Sequence, residues 1–386
     1  MLSSNQNPVV WLKKNLFNTW YNVVLTVISL WLVYSVVTPL LDWSINVADW
    51  SVISANFRLF FAGLYPVKHL WRTWVTLGLT VAFSGLSWGV LTANRVLFSR
   101  LVLGILAFAA VICVLIAVSA GIISSVILLG LLLLLSLSAI AGQKLATRVD
   151  GLANWLPLLW LGVFWLNLWI LLGVRSVRLD NLSGLILTVL VAVVSIVLCF
   201  PFGVLLALGR QSKLPVIHWL SVAYIEVVRG IPLIGTLFIA QVMLPLVLPP
   251  DVRPDRVVRA IAGMTIYSSA YLAENVRGGL QSIPQGQIEA AKALGLNPIY
   301  TLGFIVLPQA LRAVIPSIVG QFISLFKDTS LLAIVGLVDL LGIAQKILAN
   351  PKFLGHYSEV YLFIAAIYWT FCYSMSLASR RLESKS

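Results

Sequence analysis

Lys327 and Asp328 stand side by side between two apolar stretches, 313–326 and 331–337, and Thr329 and Ser330 follow them directly. A cation, a carboxylate and two hydroxyls in a row offer a partner to both ends of a zwitterion. Lys327 suits a carboxylate, Asp328 suits an ammonium, and the hydroxyls add hydrogen bonds. Burying such an ion pair in apolar surroundings is costly. The pair therefore either faces an internal polar path or marks a helix break at an interface, with Lys327 snorkelling outward. Glu226 and Arg229 sit three residues apart, and Glu274 and Arg277 repeat that spacing. Residues three apart share a helix face, so each pair either closes within its helix or cross-links two helices, as a structural tie or as a gate.

Other chemistries find no residues to carry them. His69, His218 and His356 lie in separate segments, and Cys113, Cys199 and Cys372 each sit inside an apolar run with no CxxC spacing. Neither a metal site nor a disulfide framework follows from that pattern. The dipeptide Gly-Lys does not occur, so there is no phosphate-binding GxxxxGK[ST] loop, and HExxH is also missing. Trp155, Trp160, Trp165 and Trp169 read as bilayer and packing residues, not as a ligand cage.

The segments that must position these groups are apolar. Of 386 residues, 60% are hydrophobic and 10% charged, against roughly half and a quarter in ordinary globular chains. Mean hydropathy is +1.00. Uncharged runs cover 15–41, 73–94, 101–143, 151–174, 181–209, 230–250, 260–273 and 360–379. About 20 apolar residues span a bilayer as a helix, and no barrel-like alternation is present. The fold class expected is therefore an all-α polytopic bundle. The 101–143 run is twice too long for one span and is broken near 119–125. The first run lacks a small-x-small cleavage site and is not a cleaved signal peptide. Twelve of fourteen tryptophans precede residue 170, whereas 15 charged residues lie in 1–180 and 24 in 181–386. That shift, within the polar stretch Arg175–Asn181, divides a Trp-rich extension (1–180) from a core (181–386). The net charge of +13 fits basic residues retained in cytoplasmic loops and does not call for nucleic acid.

One loop is too polar and too short to span. In Ser282-Ile-Pro-Gln-Gly-Gln-Ile-Glu-Ala-Ala-Lys-Ala-Leu-Gly295, Ser282 and Gln285 have capping-box spacing, and Pro284 suits a first helical turn. Gly295 supplies a stop, and Asn297-Pro298 starts another helix. The order Glu289-Ala290-Ala291, three residues, Gly295, nine residues, Ile305-x-Leu307-Pro308 matches the EAA loop of ABC importer permeases. With Tyr224-Ile-Glu226-Val-Val-Arg229-Gly-Ile-Pro232, Ala273-Glu274-x-x-Arg277-Gly-Gly and Phe326-Lys-Asp-Thr-Ser-Leu331, the chain over 181–386 resembles the membrane subunit of a type I ABC importer of the polar amino-acid uptake family. Its long front half resembles the larger permease subunit of general L-amino-acid importers.

That resemblance implies a core of five helices, a coupling loop around 282–308, and about ten crossings with both termini cytoplasmic. Lys13 and Lys14 at the start and Arg380, Arg381 and Lys385 at the end agree with that orientation. It implies that Gln287, Glu289, Ala290, Ala291, Lys292, Gly295, Leu307 and Pro308 form the joint with an ATPase. By their residue types and positions, and not by the resemblance, Glu226, Arg229, Glu274, Arg277, Gln321, Lys327, Asp328, Thr329 and Ser330 are the candidates for a translocation path or gate. The implied partners are a second homologous permease, two ABC ATPases that bind ATP and Mg, a periplasmic or tethered amino-acid-binding protein, and lipid of a bacterial inner membrane. No cofactor is expected in this chain, nor any enzyme activity of its own. Two rival readings are an ion-coupled secondary transporter with Lys327-Asp328 as relay, and a membrane scaffold or biosynthetic enzyme. The second leaves the 289–308 pattern unexplained.

Overall fold

The computed structural model describes residues 11, 15–93, 96–120, 122–149, 151–173 and 177–383. It is 84% helical with no strands among the described residues. Lys13, Lys14, Arg175 and Lys385, which entered the orientation and boundary readings, lie outside the described residues. Contacts divide the chain into two units, 1–51 and 52–386.

The first unit holds helix α1 (Trp20–Asp42), which continues as a wider π turn over Trp43–Val47. No residue of α1 is buried. Its apolar side chains go all the way round, as a helix surrounded by hydrocarbon requires. The few polar groups near its start are satisfied locally: Asn22 Nδ2 donates to Asn18 Oδ1 at 2.5 Å, and Thr26 Oγ1 to the Leu16 carbonyl at 3.1 Å.

Helix α2 (Ser51–Ala62) opens the second unit from its second residue, Val52, and is followed by α3 (Leu70–Leu91), α4 (Arg100–Ala120), α5 (Ile122–Ala146) and α6 (Leu152–Leu172). Gly121, within the stretch where the long apolar run was expected to break, lies outside the described residues. Small residues bring α3 and α5 together. A Cβ on Gly85 would meet Ser138 Oγ at 2.0 Å, one on Gly89 the Ala139 carbonyl oxygen at 2.0 Å, and one on Gly142 the Leu86 carbonyl oxygen at 2.2 Å. Gly85 and Gly89 form a GxxxG pair, the spacing that lets membrane helices touch along their backbones. Asn167 of α6 donates to Thr80 Oγ1 of α3 at 3.0 Å, and Trp160 meets Phe83 edge-on. Trp155, Trp165 and Trp169 are exposed, as side chains facing lipid are.

Gly89→Leu is therefore expected to force α3 and α5 apart. Overpacking costs of ~1–3 kcal/mol should lower the melting temperature of the purified protein in detergent by several degrees. Gly104→Leu on α4, where a Cβ meets nothing within 4 Å, should leave it unchanged. Equal melting temperatures for the two variants would rule out the backbone contact.

Helices α7 (Gly184–Arg210), α8 (Pro215–Gly230), α9 (Leu233–Val247), α10 (Arg256–Gln281), α11 (Gln285–Ala293), α12 (Pro298–Ala313), α13 (Ile315–Asp328), α14 (Leu340–Leu348) and α15 (Tyr357–Glu383) complete the unit. One apolar cluster joins α7, α9, α10 and α13, and Tyr65, Val177 and Leu182 belong to it too. Tyr65 donates its hydroxyl to the Leu171 carbonyl at 2.5 Å, and Ser183 Oγ accepts from the Leu64 amide at 2.6 Å. A second cluster packs Val52, Ile53 and Phe60 of α2 on α14 and α15. A third joins the ends of α7 and α10 with α8 and α12, and Ile288 of α11 packs on it.

Among the described residues, six helices are long and apolar enough to cross a membrane. The bent pairs α8–α9 (102°) and α12–α13 (60°) make eight if each is one span. The expectation of about ten also counted α4 and the more polar α10 as crossings. Between 312 and 348, one long helix and the short α14 stand where one crossing and a short helix were expected.

Candidate functional site

The loop helix α11 is nine residues long and lies on the surface, with Gln287, Glu289, Ala290 and Lys292 exposed and Ala291 buried at 3% exposure. Its end is a Schellman motif: the Leu296 amide bonds the Ala291 carbonyl at 3.1 Å, and the Gly295 amide bonds that of Lys292 at 2.9 Å. Gly295 has φ +78°, a left-handed conformation that glycine adopts without the Cβ penalty. Asn297 then caps α12 by accepting from the Tyr300 amide at 2.9 Å.

The expected capping box does not form. Helix α10 continues to Gln281, so Ser282 ends that helix and its hydroxyl donates to the Gly279 carbonyl at 2.8 Å. Pro284 takes the N-cap position of α11, with no side-chain cap bond. Within α12, Thr301–Val306 is a π turn immediately before Leu307-Pro308. Pro308 has no amide hydrogen for the usual i−4 bond, and local widening accommodates that loss. Gln287 ties the two helices, since Gln309 Nε2 donates to its Oε1 at 3.4 Å and to the Ile305 carbonyl at 2.8 Å. Glu289 has no ion-pair partner among the described residues. Leu294, Ile299, Tyr300 and Phe304 near it are exposed, at 81%, 77%, 53% and 72%.

At the same end of the bundle, Glu274 of α10 gathers three arginines. Arg277 bonds Oε1, and Arg210, the last residue of α7, reaches Oε2 at 3.2 Å. Arg229 of α8 lies 3.8 Å from that same oxygen. Arg210 also pairs with Glu226 at 3.0 Å. The Arg210 carbonyl takes a 2.7 Å bond from His218 Nδ1, which fixes the chain as it turns into α8. The two sequence pairs are thus brought into one network across three helices, with Glu274–Arg277 closing within its helix and Glu226–Arg229 not. Arg210 was missed because its partners lie far along the chain. Its position at the edge of an apolar run was visible, but not what it would face.

The other candidate group stands apart from this network. Lys327 is exposed and Asp328 half-buried, and among the described residues they do not pair with each other. Gln321 and Ser330 are half-buried. Thr329 is fully buried, donating to the Phe326 carbonyl at 2.6 Å and meeting Tyr368 Oη at 3.3 Å. Tyr368 in turn lies 3.5 Å from Asp339 Oδ2. Buried Asp339 caps α14 by accepting from the Leu341 and Gly342 amides at 3.2 and 2.9 Å. Burial pushes its carboxyl up to about 7, against the pull of those amides. Thr188 of α7 closes the network by accepting from the Leu340 amide at 3.0 Å. Sequence reading passed over Asp339, although an Asp before an apolar periodic run is an N-cap signal.

Residues 199–386 match the family described as binding-protein-dependent transport system inner membrane component. The chain is 36% identical over 397 residues to the inner membrane amino-acid ABC transporter permease protein YhdY of Escherichia coli, covering 99% of this chain and 94% of that one. It is 35% identical over 418 residues to the glutamate/glutamine/aspartate/asparagine transport system permease protein BztC of Rhodobacter capsulatus, with the same coverage, 99% and 94%. The probable glutamine ABC transporter permease protein GlnP of Bacillus subtilis is 42% identical over 201 residues, which are 52% of this chain and 91% of that one.

Proposed function

The chain belongs to the inner-membrane components of binding-protein-dependent transport systems, and from that membership we propose that it is a permease subunit of an ATP-driven amino-acid importer. The observation that carries this reading is similarity over nearly the whole chain to two amino-acid permeases of comparable length. The exposed α11, with its free Glu289, supports it as the joint to an ATPase. Membership in this family leaves the ion-coupled alternative without support.

In this reading the working unit pairs the chain with a second, homologous permease. Two ATPase subunits hold ATP and Mg, and a binding protein delivers the amino acid from outside. The ATPases seat α11, so that their closure on ATP moves it as a rigid element and swings the membrane helices between inward- and outward-open states. Gly295 and Pro308 keep that element's entry and exit angles fixed. The end of the bundle with α11 and the Glu274 network is cytoplasmic, and so are both termini. Lys327, Asp328, Thr329, Ser330 and Gln321 belong to the path, with the Asp339–Tyr368 network holding the segment that follows them. Residues 1–180 are the extension that distinguishes the long permeases from the short ones, packing largely against lipid.

The test is uptake by proteoliposomes holding the complete complex and binding protein, with a panel of amino acids. Uptake is expected to need ATP and to vanish when the ATPase's phosphate-loop lysine is replaced by alanine. Uptake driven by an ion gradient without ATP, or uptake of no amino acid, would overturn the reading. In the same vesicles Lys327→Ala is expected to slow transport at least ~10-fold, the loss of one charge-assisted contact of ~1.4 kcal/mol or more, with assembly and ATPase docking intact. A fully active Lys327→Ala protein would remove Lys327 from the path.

A further inference from the structure

The arginine network carries one charge more than its carboxylates: Arg210, Arg229 and Arg277 stand against Glu226 and Glu274. The surplus is local. Glu274 is fully engaged, with Arg277 on one oxygen and Arg210 and Arg229 on the other. Arg229 is the least held. Its only contacts among the described residues are the 3.8 Å approach to Glu274 and a position over the Tyr271 ring, 5.7 Å from its centroid. Its five N–H donors make no hydrogen bond there. Glu226 is likewise half used, because Arg210 takes Oε1 and Oε2 has no partner among the described residues. Its side chain is 55% exposed and that of Arg229 is 35% exposed. The two sit three residues apart on α8, on one helix face with Cβ atoms ~5–6 Å apart, and they do not bond each other.

We infer that Glu226 and Arg229 form an inner binding site for the zwitterionic end of an α-amino acid, its carboxylate held by Arg229 and its ammonium by Glu226. A guanidinium with free donors takes a carboxylate through two parallel bonds, and the spare oxygen of Glu226 accepts from an ammonium one helical turn away. The Tyr271 ring gives Arg229 a stacking face that fixes its plane. Such a site reads the part common to all amino acids, so it adds no side-chain selectivity. At the α11 end of the bundle it is reached from the cytoplasm, as the last station of an arriving amino acid or the first occupied when the cytoplasmic pool is high. This inference rests on the reading of the chain as an amino-acid permease.

Equilibrium binding of radiolabelled L-glutamine to the purified permease–ATPase complex, without nucleotide or binding protein, tests it. Saturable binding is expected. Amidating the α-carboxylate or acetylating the α-amine of the competitor should abolish competition. Arg229→Gln and Glu226→Gln should each weaken binding at least ~10-fold, and Arg229→Lys, which keeps charge and fold, should weaken it less. Asp251→Asn, an exposed carboxylate in the turn between α9 and α10, should leave it within about twofold, as distant sites act independently. Binding unchanged in both glutamine variants of α8, binding lost equally with Asp251→Asn, or no saturable binding would each overturn the inner site. ATP-driven amino-acid uptake alongside any of these results would leave the permease reading standing. Absence of such uptake would remove both.

Discussion

Gly295→Val is expected to abolish ATP-driven uptake, by ~100-fold or more, in a protein that still folds and inserts. The cause lies in the backbone. At φ +78° a β-branched residue is strained by ~1–2 kcal/mol or more, although a Cβ at Gly295 meets no atom within 4 Å. The strain is relieved by unwinding the Schellman turn, which re-aims α11 relative to α12. Misplacement of about 1 Å in a positioning element costs on the order of 100-fold in an event that depends on it. Glu289→Lys approaches the same joint through charge. Glu289 has no ion-pair partner among the described residues, so reversing it removes nothing inside the chain and leaves its melting temperature where it was. In the proposed joint it removes complementarity to the ATPase, where a like charge costs several kcal/mol. Both variants should retain the membrane bundle and lose co-purifying ATPase and coupled uptake. Gly295→Asp belongs between them, since aspartate tolerates the left-handed region better than valine but adds charge at the joint. Wild-type uptake by Glu289→Lys in vesicles would show that α11 is not the coupling element.

The parts of this molecule that were legible in the sequence are those set by local physics. Runs of apolar residues gave the long helices, and Gly295 and Asn297 gave a stop and a cap that the backbone uses. The Ser282–Gln285 spacing misled because nothing local says where the preceding helix ends. Continuation of α10 to Gln281 placed Ser282 in that helix's last turn, where its hydroxyl finds an i−3 carbonyl first. Long-range pairings were beyond reach. Arg210 and Glu274 are 64 residues apart, and Thr188 and Leu340 are 152 apart. The extension shows the same division. Its tryptophans read as bilayer and packing residues, and most of them are exposed, while α2 read as nothing in particular. Yet Val52 and Phe60 of α2 are fully buried against α14 and α15, because the face they cover comes from residues almost 300 positions later.

Glu274→Gln is expected to cost the protein ~2 kcal/mol of stability, an effect large enough to see as a drop in the melting temperature of the purified complex. The carboxylate is 25% exposed and the two best-engaged arginines 25% and 26%. Removing it strands Arg277 and Arg229 at the ends of two helices and leaves Arg210 with Glu226 alone, where breaking a fully buried pair costs ~3–5 kcal/mol and water at this depth reduces that figure. The partners should not contribute equally. Arg277 is an i,i+3 neighbour on the same helix, worth ~0.2–0.5 kcal/mol as such. Arg210 joins α7 to α10 and also holds Glu226, so a double-mutant cycle of Glu274 with Arg210 should show ~1–2 kcal/mol of coupling and the cycle with Arg277 less. Salt should weaken both cycles only modestly, since the groups are partly withdrawn from solvent. The outcome also separates a brace from a gate. A brace that is removed lowers stability, and uptake falls only as the protein unfolds. A gate that is removed leaves stability near wild type, because the pairs it breaks are re-formed and lost in every transport cycle, and it changes ATP hydrolysis in the absence of binding protein instead. Glu274 touches one residue from each of three helices that meet beside α11, and a contact of that valence is costly to open in each cycle. That geometry favours the brace, and leaves Glu226 and Arg229, each half engaged, as the part of the network free to meet a ligand.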